Sequence, residues 1–146
     1  MTIHTGRLAR VVALLFPLLL SGAADGHAQT ARTRPLMQEK LAHAQRILAA
    51  LTTSNYGLLQ KETQALQRVT QSPQWNELMT AELRPYTSDF VKALGNLAAA
   101  AERRDYDAAG AGYGALTAAC ISCHKHVMRS RIARATDVGR MSEKID

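Results

Sequence analysis

The sequence is poor in the features that mark several common classes of protein. It has only two cysteines, both in one short run, so it lacks the two separate ligand pairs that a structural zinc site usually uses. Aromatic residues make up 5% of the chain, and stretches of alternating β-branched residues are few, which disfavours a β-sheet fold. It shows no βαβ pattern and no arginine–aromatic pattern, so neither a thioredoxin-like fold nor nucleic-acid binding is indicated. Abundant alanine and leucine favour helices instead.

The first 28 residues have the layout of a signal peptide. Arg7 and Arg10 precede an apolar run over residues 11–20, and small and polar residues follow as far as Ala28. Pro17 interrupts this run, which is too short for a convincing membrane span; a retained N-terminal anchor is the alternative. We therefore expect an exported protein with one domain over residues 29–146 and no membrane span in its mature form.

The most informative stretch is Cys120-Ile121-Ser122-Cys123-His124. A C-x-x-C-H run is the attachment signature of c-type haem, in which two thiols add to the porphyrin vinyl groups and the imidazole binds iron. Residues three and four apart share one face of a helix, so one flat cofactor can meet all three side chains. A disulfide between Cys120 and Cys123 is an alternative in an exported protein, although it would strain a helical backbone. We favour covalent attachment of one haem c, which implies a periplasmic location.

The spacing of apolar residues predicts four long amphipathic helices, and hence an all-α, antiparallel four-helix bundle with the haem motif on its last long helix. The predicted buried seams are Met37, Leu41, Ala44, Leu48 and Leu51 in the first helix; Leu59, Leu66 and Val69 in the second; Phe90, Leu94, Leu97 and Ala101 in the third; and Ala109, Tyr113, Leu116, Cys120, Cys123 and Val127 in the fourth.

Capping residues and prolines predict where the helices begin and end. We expect the first helix to begin at Pro35 and to end before the turn that Asn55 closes. Ser72 should start a short helix that ends by residues 84–86, and the third long helix should begin near Thr87. Asp105 should cap the fourth long helix, which should give way to a polar tail near residue 137. Gln60, Lys61, Gln64, Gln67 and Arg68 should form a row facing water.

A single C-x-x-C-H placed late in a small, exported, helical chain resembles the class II c-type cytochromes, the family of cytochrome c′ and its low-spin relatives. The resemblance covers roughly residues 35–135. It implies that Cys120 and Cys123 hold the haem, that His124 is the proximal iron ligand, and that the distal residue lies early in the first helix. Low-spin members have methionine there, which matches Met37, whereas high-spin members have an apolar residue, for which Leu36 and Leu41 are the alternatives.

The remaining histidine, methionine and arginine residues are weaker candidates for the haem site. Met128 lies four residues after His124 on the same helix and cannot easily reach the far side of the porphyrin. His43 and His126 point elsewhere, so ligation by two histidines is a minor alternative. Arg129, Arg131 and Arg134 are candidate partners of a haem propionate or simply a solvated helix end. Cytochrome c′ commonly has an aromatic and then a basic residue where this chain has Val127 and Met128.

The leading functional hypothesis is a periplasmic protein that carries single electrons between redox partners, some with acidic docking surfaces. A five-coordinate haem protein that binds NO or CO is the alternative, and it requires that Met37 leave the iron free. An enzyme is not expected, because no distal histidine–arginine arrangement for oxygen–oxygen bond cleavage is evident. The family resemblance also allows a homodimer.

Overall fold

The computed structural model describes residues 24–143. Within that range the chain forms five helices and no strand: α1 (Ala24–Thr52), α2 (Tyr56–Val69), α3 (Pro73–Asn76), α4 (Arg84–Arg103) and α5 (Tyr106–Glu143). Four of these helices are long, and α3 is a single turn. The prediction of an all-α, four-helix-bundle fold is confirmed.

Within the described residues, the chain divides after Met37 into two units. The described part of the first unit is the helical stretch 24–37, and the second unit contains the rest of α1 and the other four helices. The predicted signal peptide, residues 1–28, lies for the most part outside the described residues, so its boundary stays a prediction. No helix within residues 24–143 combines the length and the apolar character that crossing a membrane requires.

The buried face of α1 differs from the predicted seam by one residue. Ile47 and Ala50 are fully buried, whereas Leu41 and Leu48 are 58% and 46% exposed. The same spacing of four and three carries the inner face back to Lys40, which is half-buried. The predicted seam and the observed one both repeat every three or four residues, so the spacing does not distinguish them. The prediction was wrong because it chose the seam with the more hydrophobic side chains. The true inner face includes polar residues.

Two helices begin earlier than their prolines predicted. α1 begins at Ala24, so Pro35 lies inside the helix rather than in its first turn. α4 begins at Arg84 with Pro85 in its first turn, where the missing N–H of proline leaves no hydrogen bond unmade. At the other end of the chain, α5 continues to Glu143 instead of ending near residue 137. Arg140 pairs with Asp137 one turn earlier on the same helix, at 3.3 Å.

Packing among α2, α4 and α5 agrees with the predicted seams. α4 packs against α5, and α2 packs against α4. The buried side chains at these contacts are Leu59, Leu66, Val69, Phe90, Leu94, Leu97, Ala101, Ala109 and Leu116. Each fully buried leucine contributes about 2 kcal/mol of hydrophobic stabilisation. Because the seam of α5 leads from Leu116 to Cys120, core packing sets the direction in which the haem motif faces.

Gly112 marks the closest approach between α4 and α5. A Cβ atom at this position would lie 3.0 Å from the Cα atom of Leu97, which is backbone and cannot easily move. At Gly110 and Gly114, by contrast, a Cβ atom would meet nothing within 4 Å. Of the three glycines on this part of α5, only Gly112 is therefore required by packing.

Four helix termini meet at one end of the bundle, and tyrosine side chains tie them together. The hydroxyl of Tyr56 donates to the carbonyl oxygen of Arg104 at 2.8 Å, and that of Tyr106 donates to the carbonyl oxygen of Ala50 at 3.2 Å. The two tyrosine rings meet edge to face at 4.7 Å. We call this region, built from Ala50, Tyr56, Arg104 and Tyr106, the turn end.

The short connections at the turn end are capped as the sequence predicts. Asn55 accepts a hydrogen bond from the Leu58 amide at 2.9 Å, and Asp105 accepts one from the Ala108 amide at 3.0 Å. One predicted role was wrong: Gln60 does not face only water, because its amide nitrogen donates to the carbonyl oxygen of Ala101 at 3.2 Å. The same carbonyl group also accepts from the Arg104 amide at 3.2 Å, so the Gln60 bond is its second.

Candidate functional site

The C-x-x-C-H motif lies on an unbroken stretch of α5. Cys120 and Cys123 are half-buried, whereas Ile121 and Ser122 between them are exposed. His124 follows the second cysteine and is exposed. The alternation shows that both thiols are on the inner side of the helix, which is the arrangement that the spacing predicts.

Both cysteines are free thiols, and no disulfide joins them. Partial burial raises the pKa of each thiol, because a thiolate loses hydration there. The positive charge of Lys40 acts in the opposite direction on both groups. Lys40 was not among the predicted site residues, yet it is the charged side chain that influences both thiols.

Lys40 points from α1 towards two buried aromatic rings. Its Nζ atom lies 3.9 Å from the ring centroid of Phe90 and 4.6 Å from that of Trp75. The two rings are 5.3 Å apart and tilted by 40°. Trp75 reaches this position from α3, which Ser72 caps by accepting a hydrogen bond from the Trp75 amide at 3.1 Å. The connection between α2 and α4, residues 70–83, therefore places the Trp75 ring against Lys40 and Phe90.

The candidate distal residues on α1 have different exposures. Met37 is half-buried and Leu36 is buried, whereas Leu41 is exposed. Met128 on α5 is 62% exposed. The roles of Met37 and His124 as iron ligands stay predictions.

His43 belongs to an ion-pair cluster between α1 and α2. Its Nδ1 atom and the Nε atom of Arg46 each lie 2.7 Å from the same carboxylate oxygen of Glu62. Glu62 is only 4% exposed. Burial on its own would raise the pKa of Glu62, but the hydrogen bonds and positive charges of Arg46 and His43 outweigh it and hold the pKa below its usual range. Because its imidazole faces Glu62, His43 is engaged in helix pairing.

His126, three residues after Cys123 on α5, contacts residues at the start of α4 and just before it. Its ring stacks on Tyr86 at 4.7 Å, and its Nε2 atom is 3.0 Å from the carboxylate of Glu82, which also accepts a hydrogen bond from the Ser130 hydroxyl. These hydrogen bonds, from Ser130 and then His126, lower the pKa of Glu82. A shallow groove of about 350 Å³ runs along this side, lined by residues that include Tyr86, Ile121 and His126. It is separate from the thiols.

The side chains at the motif fit a covalently attached haem. Two free thiols on one helix face, followed by an imidazole, are the donor set that haem attachment uses. Among the described residues, no three His, Cys, Asp or Glu side chains converge on a shared metal position. The cysteines and histidines of this run are therefore not gathered into a tetrahedral zinc site.

Comparison with known proteins agrees with this site. The sequence model of the family described as "Cytochrome C'" matches residues 20–126 of the chain, which includes the C-x-x-C-H motif. No curated protein and no solved structure matches the chain.

Proposed function

The chain belongs to the cytochrome c′ family, and we propose that within it the protein is a carrier of single electrons. Proteins of this family bind a covalently attached haem c, and this chain is accordingly a haem-binding c-type cytochrome. The bound haem supplies the one-electron couple, and the protein supplies its ligands and surroundings. The observation that supports haem binding is that two half-buried thiols and an adjacent imidazole lie on one face of α5.

We assign the attachment and the proximal side to the motif on α5. Cys120 and Cys123 form the thioether bonds, and His124 is the proximal iron ligand. The helical spacing supports this assignment, and so does the inward direction of both thiols. The exposure of His124 supports it as well, since an imidazole that is not packed into the core remains available to iron.

We assign the distal position to Met37 on α1. The assignment rests on the family pattern, in which the distal residue comes from the first helix, and on the partial burial of Met37 in α1. Ligands that stay in place in both oxidation states keep the reorganisation that accompanies electron transfer small. A thioether ligand also favours the ferrous state and raises the reduction potential.

The site in the cell and the partners follow from the same proposal. The predicted signal peptide over residues 1–28 exports the chain to the periplasm, where covalent haem attachment takes place. The partners are redox proteins. Without Arg7, Arg10 and Asp25 of the signal peptide the net charge is 16 − 11 = +5, which favours partners with acidic docking surfaces. A homodimer is compatible with this role.

Absorption spectra test the proposal directly. The haem-loaded protein should show sharp reduced α and β bands, a weak far-red sulfur-to-iron band when oxidised, and no response to CO. The variant M37L should lose the far-red band and bind CO, whereas the matched control M128L should keep the wild-type spectrum. Broad high-spin bands that shift with CO in the wild-type protein would overturn ligation by Met37 and favour binding of NO or CO as the function.

A further inference from the structure

Lys40 is an unusual residue for the inner face of a helix. Its neighbours at the same spacing, Ile47 and Ala50, are fully buried, and Lys40 itself is half-buried. The ammonium group lies over the faces of Phe90 and Trp75, each of which is only 3% exposed. Two ring faces attract a cation by cation–π interaction, which partly replaces the lost hydration.

The aromatic rings do not neutralise the charge of Lys40. The ion pairs formed within the described part of the chain use the carboxylates of Glu62, Glu82 and Asp137, and none of them includes Lys40. Burial accordingly lowers the pKa of Lys40, and the neighbouring thiols of Cys120 and Cys123 act in the opposite direction. A shielded cation without a carboxylate partner is unfavourable for stability alone, so its presence here calls for another explanation.

We propose that Lys40, held against Trp75 and Phe90, is part of the haem-binding site and that its positive charge raises the reduction potential of the haem. This inference rests on the proposed function, because it assigns to Lys40 a role in setting the redox couple. It adds a residue that the C-x-x-C-H pattern cannot identify. The motif lies on α5, whereas Lys40, Trp75 and Phe90 come from α1, α3 and α4.

The chemistry of a c-type haem explains why the charge acts on the iron. The two thioether bonds and the two propionates lie at opposite edges of the macrocycle, and Lys40 acts electrostatically on both thiols that form the thioethers. Lys40 therefore lies within electrostatic range of the two thiols that would form the thioether bonds. Ferric iron carries one more positive charge than ferrous iron. A nearby cation shielded from water therefore destabilises the ferric state more strongly and raises the potential.

The test is the midpoint potential of the haem-loaded protein at fixed pH. K40M should lower the potential, because it removes the charge while keeping a long side chain. K40R, which keeps the charge, should retain most of the wild-type value. K92M is the matched control, since Lys92 is exposed on α4 and its removal should leave the potential unchanged. High salt should not abolish the difference between wild type and K40M, because shielded charges are weakly screened.

The outcomes separate this inference from the proposed function. A fall in potential for K40M with an unchanged spectrum supports the role of Lys40. Equal potentials for wild type and K40M, or equal shifts for K40M and K92M, would overturn it. Ligation by Met37 is judged by the far-red band and the CO response, so it can fail while the potential of K40M still reports on Lys40. If K40M does not fold, K40Q and K40R are compared by the same potential measurement.

Discussion

The turn end and the haem-attachment end of the bundle satisfy their polar groups in different ways. At the turn end, the hydroxyls of Tyr56 and Tyr106 bond to backbone carbonyls of other helices, and Asn55 and Asp105 cap the helices that follow them. At the attachment end, the chain presents two free thiols and a shielded lysine that has no carboxylate partner among the described residues. The turn end therefore pairs its polar groups within the chain, whereas the ammonium group at the attachment end forms no ion pair with a described residue.

Removing the two thiols should have the largest effect of these substitutions, which is the loss of bound haem. The turn end should keep its structure. We expect the double variant C120A/C123A to carry no covalently attached haem, because both thioether bonds are lost. Intact-protein mass after acid denaturation measures the attached haem, and S122A is the matched control within the motif. Hydrogen exchange should show amides near Tyr56 and Tyr106 still protected in the double variant. Retained haem mass in C120A/C123A, or loss of protection at both ends alike, would contradict the comparison.

Glu62 tests whether the chain alone holds α1 to α2. At pH 7, E62Q should lower the free energy of unfolding by about 2 kcal/mol, because a buried carboxylate that accepts from Arg46 and His43 is lost. The folded-state pKa of Glu62 lies below its unfolded value, so this stabilisation is present above the unfolded carboxyl pKa of about 4.3 and disappears as the pH falls through the folded value.

Urea unfolding of wild type and E62Q at a series of pH values measures this contribution. The difference between the two proteins should be largest near neutral pH and should narrow below about pH 4. E77Q is the control, since Glu77 is exposed. A difference between wild type and E62Q that does not change with pH would show that the ion pairs with His43 and Arg46 do not carry the effect.

Substitution of Gly112 should change the free energy of unfolding least among these variants. It should nevertheless change it in the opposite direction from substitution of Gly110. G112A should destabilise the protein by about 1 kcal/mol, because the added Cβ atom would lie 3.0 Å from the Cα atom of Leu97. G110A should instead stabilise it by about 0.5–1 kcal/mol, since the Cβ atom meets nothing there and alanine favours helix. Thermal or urea unfolding of the two variants measures the difference. Equal effects at Gly110 and Gly112 would show that α4 and α5 are not in close contact at Gly112.

The parts of the fold that the sequence predicts are those set by local chemistry. The caps at Asn55, Ser72 and Asp105 were predicted correctly, because a side-chain acceptor near a free amide needs only neighbouring residues. The seams of α2, α4 and α5 were also predicted, because one apolar stripe on each helix is clearly stronger than any other. The start of α4 was missed since Pro85 suits a first turn as well as a helix end.

The buried face of α1 and the position of Lys40 could not be predicted without the tertiary structure. Two stripes one residue apart repeat with the same period on α1, and the one with Leu41 and Leu48 is more hydrophobic. The polar stripe is the buried one, because Glu62 on α2 pairs with His43, and the rings of Trp75 and Phe90 receive Lys40. These partners lie 19 or more residues away in sequence, so no local pattern reveals them.

The two-residue connection between α4 and α5 has a consequence for the order in which the molecule forms. Arg104 adopts a left-handed conformation with φ of 55°, and Asp105 then caps α5, so the chain reverses within the shortest possible loop. Contacts between residues close in sequence form earlier than those that close a long loop. We expect the α4–α5 hairpin to form before α1 is recruited to it. The folding chain would then offer its two thiols on a preformed helix, before α1 packs against that hairpin.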